Sequence, residues 1–268
     1  MGHENTSTVG YARSEDGLRI DERLPAPIYG PRAPFELKQG KPDGNSGVED
    51  PRVVMIDDRL YMTYTAYDGV HAPIGAITSI ALDDFRARAF DRWAEPFIVT
   101  PDGIDDKDLA LLPEKTEDGF LLYPPIASRI CADVLPDLTS GARVSKCIEI
   151  MGPREGMWDS LKVGIANPPI KVEGGWLMLY HGVSHRSRYR VGAALLDESG
   201  TTVLARTADP VVEPEEFYEK EGEVAQVVFP CGAVVRGDTL FMYYGGADRV
   251  VGVATGSLSR ILSALTWS

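Results

Sequence analysis

Four stretches of the chain are variants of one pattern, in which a turn is followed by an apolar, aromatic-rich run that ends in tyrosine. They are Asp58-Arg-Leu-Tyr-Met-Thr-Tyr64, Asp118-Gly-Phe-Leu-Leu-Tyr123, Gly174-Gly-Trp-Leu-Met-Leu-Tyr180 and Asp238-Thr-Leu-Phe-Met-Tyr-Tyr244. Such a run is typical of a buried β-strand that is entered from a tight turn. The closing tyrosines recur at intervals of about sixty residues, which indicates an internal repeat.

The flanks of these Tyr strands repeat as well. An apolar run precedes each of them, and a small-residue strand such as Ile74-Gly-Ala-Ile-Thr-Ser79 or Val251-Gly-Val-Ala-Thr255 follows most of them. Several repeats of four short strands are typical of β-propeller blades. Val9 to Ser14 and Leu18 to Tyr29 match only the third and fourth strands of a further repeat. The sequence therefore predicts an all-β, five-bladed β-propeller with an incomplete N-terminal blade at residues 7–30.

The length and the repeats together predict one domain over residues 1–268. The apolar spacing near the C-terminus predicts a short helix over residues 258–268. An incomplete ring leaves a strand edge without a partner, and such an edge favours pairing with another subunit. A homo-oligomer is therefore one expectation.

The composition narrows the classes of partner and location. The formal charge of −13 argues against nucleic acid or an anionic membrane as the main partner. No apolar run approaches the ~18 residues that cross a membrane, and no signal-peptide pattern opens the sequence. If the start is complete, we expect a cytoplasmic protein, whereas a truncated start leaves room for a lost leader.

The three cysteines, Cys131, Cys147 and Cys231, show no CxxC or metal-like spacing. We interpret them as buried, reduced thiols. No metal site and no cofactor are predicted.

Charged clusters stand before two of the inner strands. Gly47-Val-Glu-Asp-Pro-Arg52 places two carboxylates and an arginine beside a rigid proline, and residues 105–115 place acid and base at the corresponding point of the next repeat. In a propeller these entrances face the central axis. Arg52 and Asp108 are therefore expected at similar places in neighbouring blades, although a solvated turn is the alternative interpretation of each cluster.

The later repeats contain further polar candidates. Lys162 and Asn167 precede the inner strand of their repeat, and His181 directly follows the Tyr strand. A single histidine is more often structural than catalytic. Residues 213–224 carry many carboxylates, among which sequence alone does not choose, and Asp248 follows the last Tyr strand.

Several motifs together resemble glycoside hydrolase family 130, the mannoside phosphorylases and related β-mannosidases. The matching stretches are Gly47-Val-Glu-Asp-Pro-Arg52, Lys107-Asp-Leu-Ala-Leu-Leu-Pro-Glu-Lys115, Pro168-Pro-Ile170 with Gly175-Trp-Leu-Met-Leu-Tyr-His-Gly-Val183, Val228-Phe-Pro-Cys-Gly232 and Tyr243-Tyr-Gly-Gly-Ala-Asp248. They occur in the family's order along nearly the whole chain. As a set they are highly specific.

The resemblance implies a carbohydrate-active enzyme that binds sugar at the mouth of a five-bladed propeller. Asp108 matches the family's general acid. Inorganic phosphate would attack a β-mannoside with inversion and give α-mannose 1-phosphate, so phosphate is a co-substrate and no second carboxylate acts as base. Lys162 and His181 match phosphate-site positions, and Lys and Arg are side chains suited to a phosphate dianion. The remaining matched positions imply substrate-binding roles for Asp50, Arg52, Asn167 and Asp248.

Two departures from the family keep other hypotheses open. Where phosphorylases carry a His-Arg pair this chain has Tyr123-Pro-Pro-Ile126, so Arg129 or Arg143 would have to replace that arginine, and half a blade is absent. The leading hypothesis is a β-mannoside phosphorylase, a glycosyltransferase-type enzyme. A glycosidase would need a base, for which Glu219, Glu221 and Glu223 are the candidates, roughly 6.5–9.5 Å from the acid. A degenerate propeller that binds sugar or protein is the third hypothesis.

Overall fold

The structure, a computed structural model, describes residues 5–101, 103–105, 107–185 and 187–267. Nearly all of its regular elements are β-strands. In chain order they are β1 Thr6–Ser7, β2 Ala12–Arg13, β3 Glu22–Arg23, β4 Ser46–Ile56, β5 Arg59–Tyr67, β6 Ile74–Ala81, β7 Phe97–Ile98, β8 Ala110–Thr116, β9 Gly119–Tyr123, β10 Pro125–Ile126, β11 Arg129–Leu135, β12 Ile148–Met151, β13 Lys162–Ile165, β14 Ile170–Val172, β15 Gly175–Val183, β16 Tyr189–Leu196, β17 Val203–Thr207, β18 Val228–Arg236, β19 Thr239–Gly246, β20 Val250–Ser257 and β21 Leu265–Trp267. The helices are α1 Leu82–Arg86, α2 Phe217–Lys220 and α3 Leu258–Ser263, with a 3-10 turn at Phe90–Arg92.

Four sheets, each built around one Tyr strand, make up the fold. The first sheet has the order β1-β4-β5-β6-β7, and the second has β10-β11-β9-β8 with β12 added to β11. The third has β13-β15-β16-β17-β21 with β14 added to β15, and the fourth has β18-β19-β20. Each is mainly an antiparallel meander of the kind that forms a propeller blade.

Each Tyr strand contains a buried tyrosine whose hydroxyl is hydrogen-bonded. The acceptors are Glu36 Oε1 for Tyr64 at 2.5 Å, the Gly200 carbonyl for Tyr123 at 2.9 Å, Asp159 Oδ2 for Tyr180 at 3.0 Å and Glu219 Oε1 for Tyr244 at 2.5 Å. A buried phenol needs such a partner because an unpaired polar group in the core is costly. The repeat therefore preserves a ring position, while the acceptor differs from sheet to sheet.

Contacts between Cα atoms divide the chain into two compact units. Unit 1 comprises Met1–Leu109, Glu114–Phe120 and Val134–Ser145, and unit 2 comprises Ala110–Pro113, Leu121–Asp133 and Lys146–Ser268. A core in unit 1 contains Ile28, Tyr29, Val48, Met62, Tyr64, Ala66, Ala76, Ile80 and Trp93. A core in unit 2 contains Ala166, Leu177, Leu179, Val191, Ala193, Val228, Leu240, Met242 and Tyr244. The single domain over residues 1–268 stays a prediction.

The prediction of five blades is wrong, because the described residues form four blade-like sheets. Apart from Ser7, which ends β1, residues 7–30 form only the two-residue strands β2 and β3 and a bridge between Val9 and Tyr29. The Asp16 carboxylate accepts backbone N–H groups of Leu18 and Arg19 at 2.8 Å each, which turns the chain between the two strands. Since β2 and β3 are largely exposed, they have no apolar face around which a wider sheet could assemble.

The predicted helix over residues 258–268 is wrong beyond Ser263. Helix α3 ends there, and β21 then pairs antiparallel with β17 at the edge of the third sheet. The edge of β17 offers hydrogen-bond partners that a sequence pattern does not reveal. No helix within the described ranges is long and apolar enough to cross a membrane.

The prediction that all three cysteines are reduced is also wrong. Cys131 on β11 and Cys147, just before β12, form a disulfide with Cα atoms 5.0 Å apart, and Cys231 is half-buried and outside that bond. The two residues meet because β12 pairs with β11, and sequence spacing does not reveal that register. Because disulfides persist mainly in oxidising compartments, the cytoplasmic location stays a prediction.

Candidate active site

The first inner strand carries a β-bulge next to two candidate residues. Arg52 pairs with Thr63 and Glu49 with Thr65, so Asp50 and Pro51 together face one residue of β5. Asp50 has a φ of 52°, in the left-handed region. Bulges re-aim side chains, and here the bulge turns the strand between Glu49 and Arg52.

Asp108 lies just before β8 and is buried, with a φ of 64°. Its backbone N–H donates to Thr65 Oγ1 at 3.4 Å. The next peptide is held too, because the Thr63 hydroxyl donates to the Leu109 carbonyl at 2.8 Å. The backbone on both sides of the Asp108 carboxylate is therefore fixed to β5.

Arg52 links the two aspartates. Its side chain is fully buried, its Nη2 lies 3.5 Å from Asp108 Oδ1, and its Nη1 donates to the Asp50 carbonyl at 2.9 Å. A buried guanidinium group is stable only when it is paired and hydrogen-bonded. The structure thus brings together Asp50, Arg52 and Asp108, all of which belong to unit 1.

The Asp50 carboxyl group is the most perturbed acid of this cluster. Burial raises its pKa from the ordinary value of 3.8 to about 7, and the neighbouring charge of Asp108 adds to the effect, while the Arg52 cation opposes it. The cluster can therefore hold a proton close to neutral pH.

His181 lies near the end of β15 and is completely buried. Its imidazole packs against Phe229 and Tyr189, with ring centroids 4.9 and 5.8 Å away. Gly164, its partner on β13, leaves the space for the ring, since a Cβ there would collide with the imidazole. The position is built to hold a histidine ring.

Lys162 begins β13 on the same face of the third sheet. It pairs with Val183, two residues beyond His181, while Gly164 pairs with His181 itself. Lys162 and His181 are therefore diagonal neighbours, whose Cα atoms lie about 7–8 Å apart in ordinary antiparallel sheets. Lys162 is half-buried, and its side chain makes no hydrogen bond or ion pair within the described part of the chain. Such a pair suits an anion.

The other predicted substrate-binding residues lie elsewhere. Asn167 is buried just after β13, with its Nδ2 donating to the Pro168 carbonyl at 2.6 Å. Asp248 is exposed in the turn between β19 and β20, with a φ of 54°. Both belong to unit 2.

The three candidate bases differ sharply in setting. Glu219 is buried in α2, where its Oε2 accepts backbone N–H groups of Glu215 at 2.7 Å and Glu216 at 2.9 Å, and its Oε1 accepts the Tyr244 hydroxyl at 2.5 Å. Glu221 and Glu223 are exposed. Glu219 therefore ties α2 to the fourth sheet.

The two arginines considered as replacements both have local partners. Arg129 Nη1 donates to Glu149 Oε1 at 2.6 Å, and Arg143 Nη1 donates to the Ile98 carbonyl. Both side chains are exposed. Over the ranges that the structure describes, no group of three or more His, Cys, Asp or Glu side chains could hold a metal ion, and the absence of a cofactor stays a prediction.

Sequence reasoning missed Thr63, Thr65, Tyr189 and Phe229. The only signal for the threonines is the alternation Thr63-Tyr64-Thr65, which puts both hydroxyls on one face of β5. Tyr189 approaches His181 through the pairing of β16 with β15, whereas Phe229 approaches it from β18 of the fourth sheet. Phe229 lies in the matched stretch Val228–Gly232, but nothing in that stretch indicates its contact with His181.

The chain is similar to known proteins over most of its length. A family model described as beta-1,4-mannooligosaccharide phosphorylase matches residues 2–266. The chain therefore belongs to glycoside hydrolase family 130 and, like its relatives, is a mannoside phosphorylase by class.

Several relatives are similar over most of the chain. A beta-1,2-mannobiose phosphorylase of Thermoanaerobacter sp. (strain X514) is 39% identical over 92% of this chain and 76% of its own length. A 1,2-beta-oligomannan phosphorylase of the same organism is 36% identical over 92% and 78%. The solved structure of the beta-1,2-mannobiose phosphorylase from Listeria innocua, in complex with beta-1,2-mannobiose, has a TM-score of 0.79 at 32% identity and covers 94% of this chain and 67% of that one.

Proposed function

We propose that the protein cleaves β-1,2-linked mannobiose or short β-1,2-oligomannans with inorganic phosphate and releases α-mannose 1-phosphate. The observation that carries this proposal is the match to relatives named as β-1,2-mannoside phosphorylases, at 35–39% identity over 92–97% of the chain. A relative named for β-1,4-mannooligosaccharides is less similar, at 30% identity over 76% of the chain. The β-1,2 linkage is therefore the preferred substrate class.

Asp108 is the proposed general acid, which gives its proton to the glycosidic oxygen as the bond breaks. Support comes from its burial, the ion pair with Arg52 and the anchoring of the backbone on either side. Beside it, burial and then the neighbouring charge of Asp108 raise the pKa of the Asp50 carboxyl group to about 7, so the cluster holds a proton near neutral pH. General acid catalysis works best where a proton is held near the working pH.

Lys162 and His181 form the proposed phosphate site. A phosphate held there would attack the anomeric carbon from the side opposite the leaving oxygen, and so invert the configuration. Because phosphate is itself the nucleophile, no protein carboxylate has to activate water. Asp50, Arg52, Asn167 and Asp248 are proposed to bind the sugar.

The engagement of Glu219 supports phosphate over water as the attacking group. Its carboxylate accepts three hydrogen bonds from groups that hold the fold, which leaves it ill suited to take a proton from water. A solved structure at 25% identity, with a TM-score of 0.78, is described with glycoside hydrolases of this family that target β-1,2-mannosidic linkages. The experiment below therefore includes a hydrolysis arm.

The test is to incubate the protein with β-1,2-mannobiose, with and without inorganic phosphate, and to quantify mannose 1-phosphate and mannose. We expect α-mannose 1-phosphate only when phosphate is present, and slower turnover of β-1,4-mannobiose. Free mannose that does not depend on phosphate would establish hydrolysis instead. If neither disaccharide gives any product, the protein binds sugar or another protein without cleaving the glycosidic bond.

A pair of lysine variants tests the phosphate site. Lys162→Ala should raise the KM for phosphate at least ~10-fold, the equivalent of about 1.4 kcal/mol of lost charge-assisted binding. Lys171→Ala is the matched control, since Lys171 is an exposed lysine of the same sheet that pairs with Glu198. An equal KM in the two variants would contradict the assignment of Lys162.

A further inference from the structure

The peptide segment that carries Asp108 is attached to the first sheet by two buried threonines. Thr63 and Thr65 are two residues apart on β5, so both hydroxyls lie on one face. The Thr65 oxygen accepts the Asp108 N–H at 3.4 Å, and the Thr63 hydroxyl donates to the Leu109 carbonyl at 2.8 Å. Together they hold the groups that flank the Asp108 side chain.

Thr63 also touches the strand that supplies Arg52. It pairs with Arg52 across the sheet, and its hydroxyl lies 3.3 Å from the Arg52 carbonyl. One buried oxygen therefore contacts the backbone of both partners of the Arg52–Asp108 ion pair. A change at Thr63 alters the position of one partner relative to the other.

The Leu109 side chain provides a third point of attachment. It occupies the space above Gly75, where a Cβ would lie only 2.7 Å from Leu109 Cδ2. Gly75 pairs with Thr65, so this contact is next to the two threonine contacts. The segment is fixed by two hydrogen bonds and one packed side chain, while Asp108 adopts a left-handed backbone conformation that few residues favour.

We propose that Thr63 and Thr65 are positioning residues for Asp108, which set the placement of its carboxyl group relative to Arg52. This inference rests on the proposed role of Asp108 as general acid. A catalytic group must be held to within a fraction of an ångström, and a misplacement of about 1 Å can lower the rate ~10²-fold. Neither threonine touches the sugar or the phosphate in this proposal.

The test uses Thr63→Val and Thr65→Val, which keep the shape of the side chain and remove the hydroxyl. We expect kcat to fall ~10-fold to 100-fold, the KM for phosphate to change less than ~2-fold, and the alkaline limb of the pH profile to move. Thr63→Ser should recover most of kcat because it retains the donor.

The matched control is Thr78→Val, which removes another buried hydroxyl of the same sheet. Thr78 donates to the Ala94 carbonyl at 2.7 Å and lies on β6, opposite Met62. It should lower the melting temperature by a similar amount and leave kcat within ~2-fold. If Thr63→Val and Thr65→Val also keep kcat and the pH profile, the inference is overturned.

A second measurement separates this inference from the proposed function. Carbon-13 NMR titration of the Asp50 and Asp108 carboxyl groups does not require turnover, so it applies even if the wild type has no phosphorolytic activity. We expect a moved titration midpoint in Thr63→Val and an unchanged one in Thr78→Val. Identical midpoints in both variants would overturn the positioning role.

Discussion

Asp108 and Glu219 are both buried carboxylates, yet their surroundings differ. Three donors at 2.5–2.9 Å surround the Glu219 carboxylate, and all three belong to the fold that it stabilises. At Asp108 the short hydrogen bond is made by the backbone of the following residue, and the carboxylate meets the Arg52 guanidinium at 3.5 Å. Glu219 is held by its carboxylate, whereas Asp108 is held by its backbone.

This difference indicates how burial should be interpreted. Glu36 and Asp159 resemble Glu219, since each accepts a tyrosine hydroxyl together with backbone or arginine donors. A carboxylate with such a set of short donors holds the surrounding fold together. Asp108 differs from these three in its partner, because it meets the Arg52 guanidinium beside the Asp50 carboxyl group.

Replacing Asp108 should have the largest effect. Asp108→Asn preserves shape and hydrogen bonding but removes the transferable proton, so kcat should fall ~10²-fold to 10⁴-fold, as expected for loss of acid catalysis. Folding should survive, which circular dichroism can check. Asp209→Asn, at an exposed aspartate, is the control. Near-normal turnover of Asp108→Asn would show that Asp108 is not the general acid and that, like Glu219, it serves the fold.

Replacing Glu219 should affect stability and spare chemistry. Glu219→Gln exchanges charge-assisted hydrogen bonds for neutral ones, so the free energy of unfolding should fall by about 1.5–3 kcal/mol, measured in denaturant. Glu221→Gln, at an exposed site, should change it by less than about 0.5 kcal/mol. If folded Glu219→Gln loses as much kcat as Asp108→Asn, Glu219 is a catalytic base and the proposal of phosphorolysis fails.

The pKa shift of Asp50 predicts a pH dependence of stability. The pKa of Asp50 is raised in the folded protein, so between pH 3.8 and about 7 the native state binds more protons than the unfolded state. Stability contributed by this group is therefore complete below the unfolded pKa and is lost as pH rises to about 7. Relative to Asp50→Asn, wild-type stability should fall by up to about 1.4 kcal/mol per pH unit in that window. If the free energies of unfolding of the wild type and Asp50→Asn change with pH in parallel, the pKa of Asp50 is ordinary.

The fold could be predicted from the sequence to the extent that each element is local. The Tyr strands β5, β9, β15 and β19 occur where the repeat places them, because turn residues and apolar alternation act over a few neighbours. The number of blades could not be predicted, since β2 and β3 have the right residues without a buried face. The Cys131–Cys147 bond likewise depends on a sheet register that no spacing reveals.

The candidate site was predictable where a motif marks it. Asp50, Arg52 and Asp108 stand at corresponding points of two repeats, and the structure places all three in one cluster. Glu219 could not be separated from Glu221 and Glu223, because what distinguishes it is the distant Tyr244 hydroxyl. Thr63 was invisible for the same reason, as a threonine in a strand is ordinary until its long-range acceptor is known.

The bulge at Asp50 and Pro51 also determines which length changes this gene can tolerate. Glu49 and Arg52 keep their partners Thr65 and Thr63 on either side of the bulge, so loss of one bulge residue leaves one residue opposite one and restores regular pairing. Elsewhere in a regular strand, loss of one residue exchanges the faces of everything on one side of the deletion. Position 50 or 51 is therefore where β4 can lose a codon and keep Val48 and Arg52 on their present faces, at the expense of the left-handed backbone at Asp50.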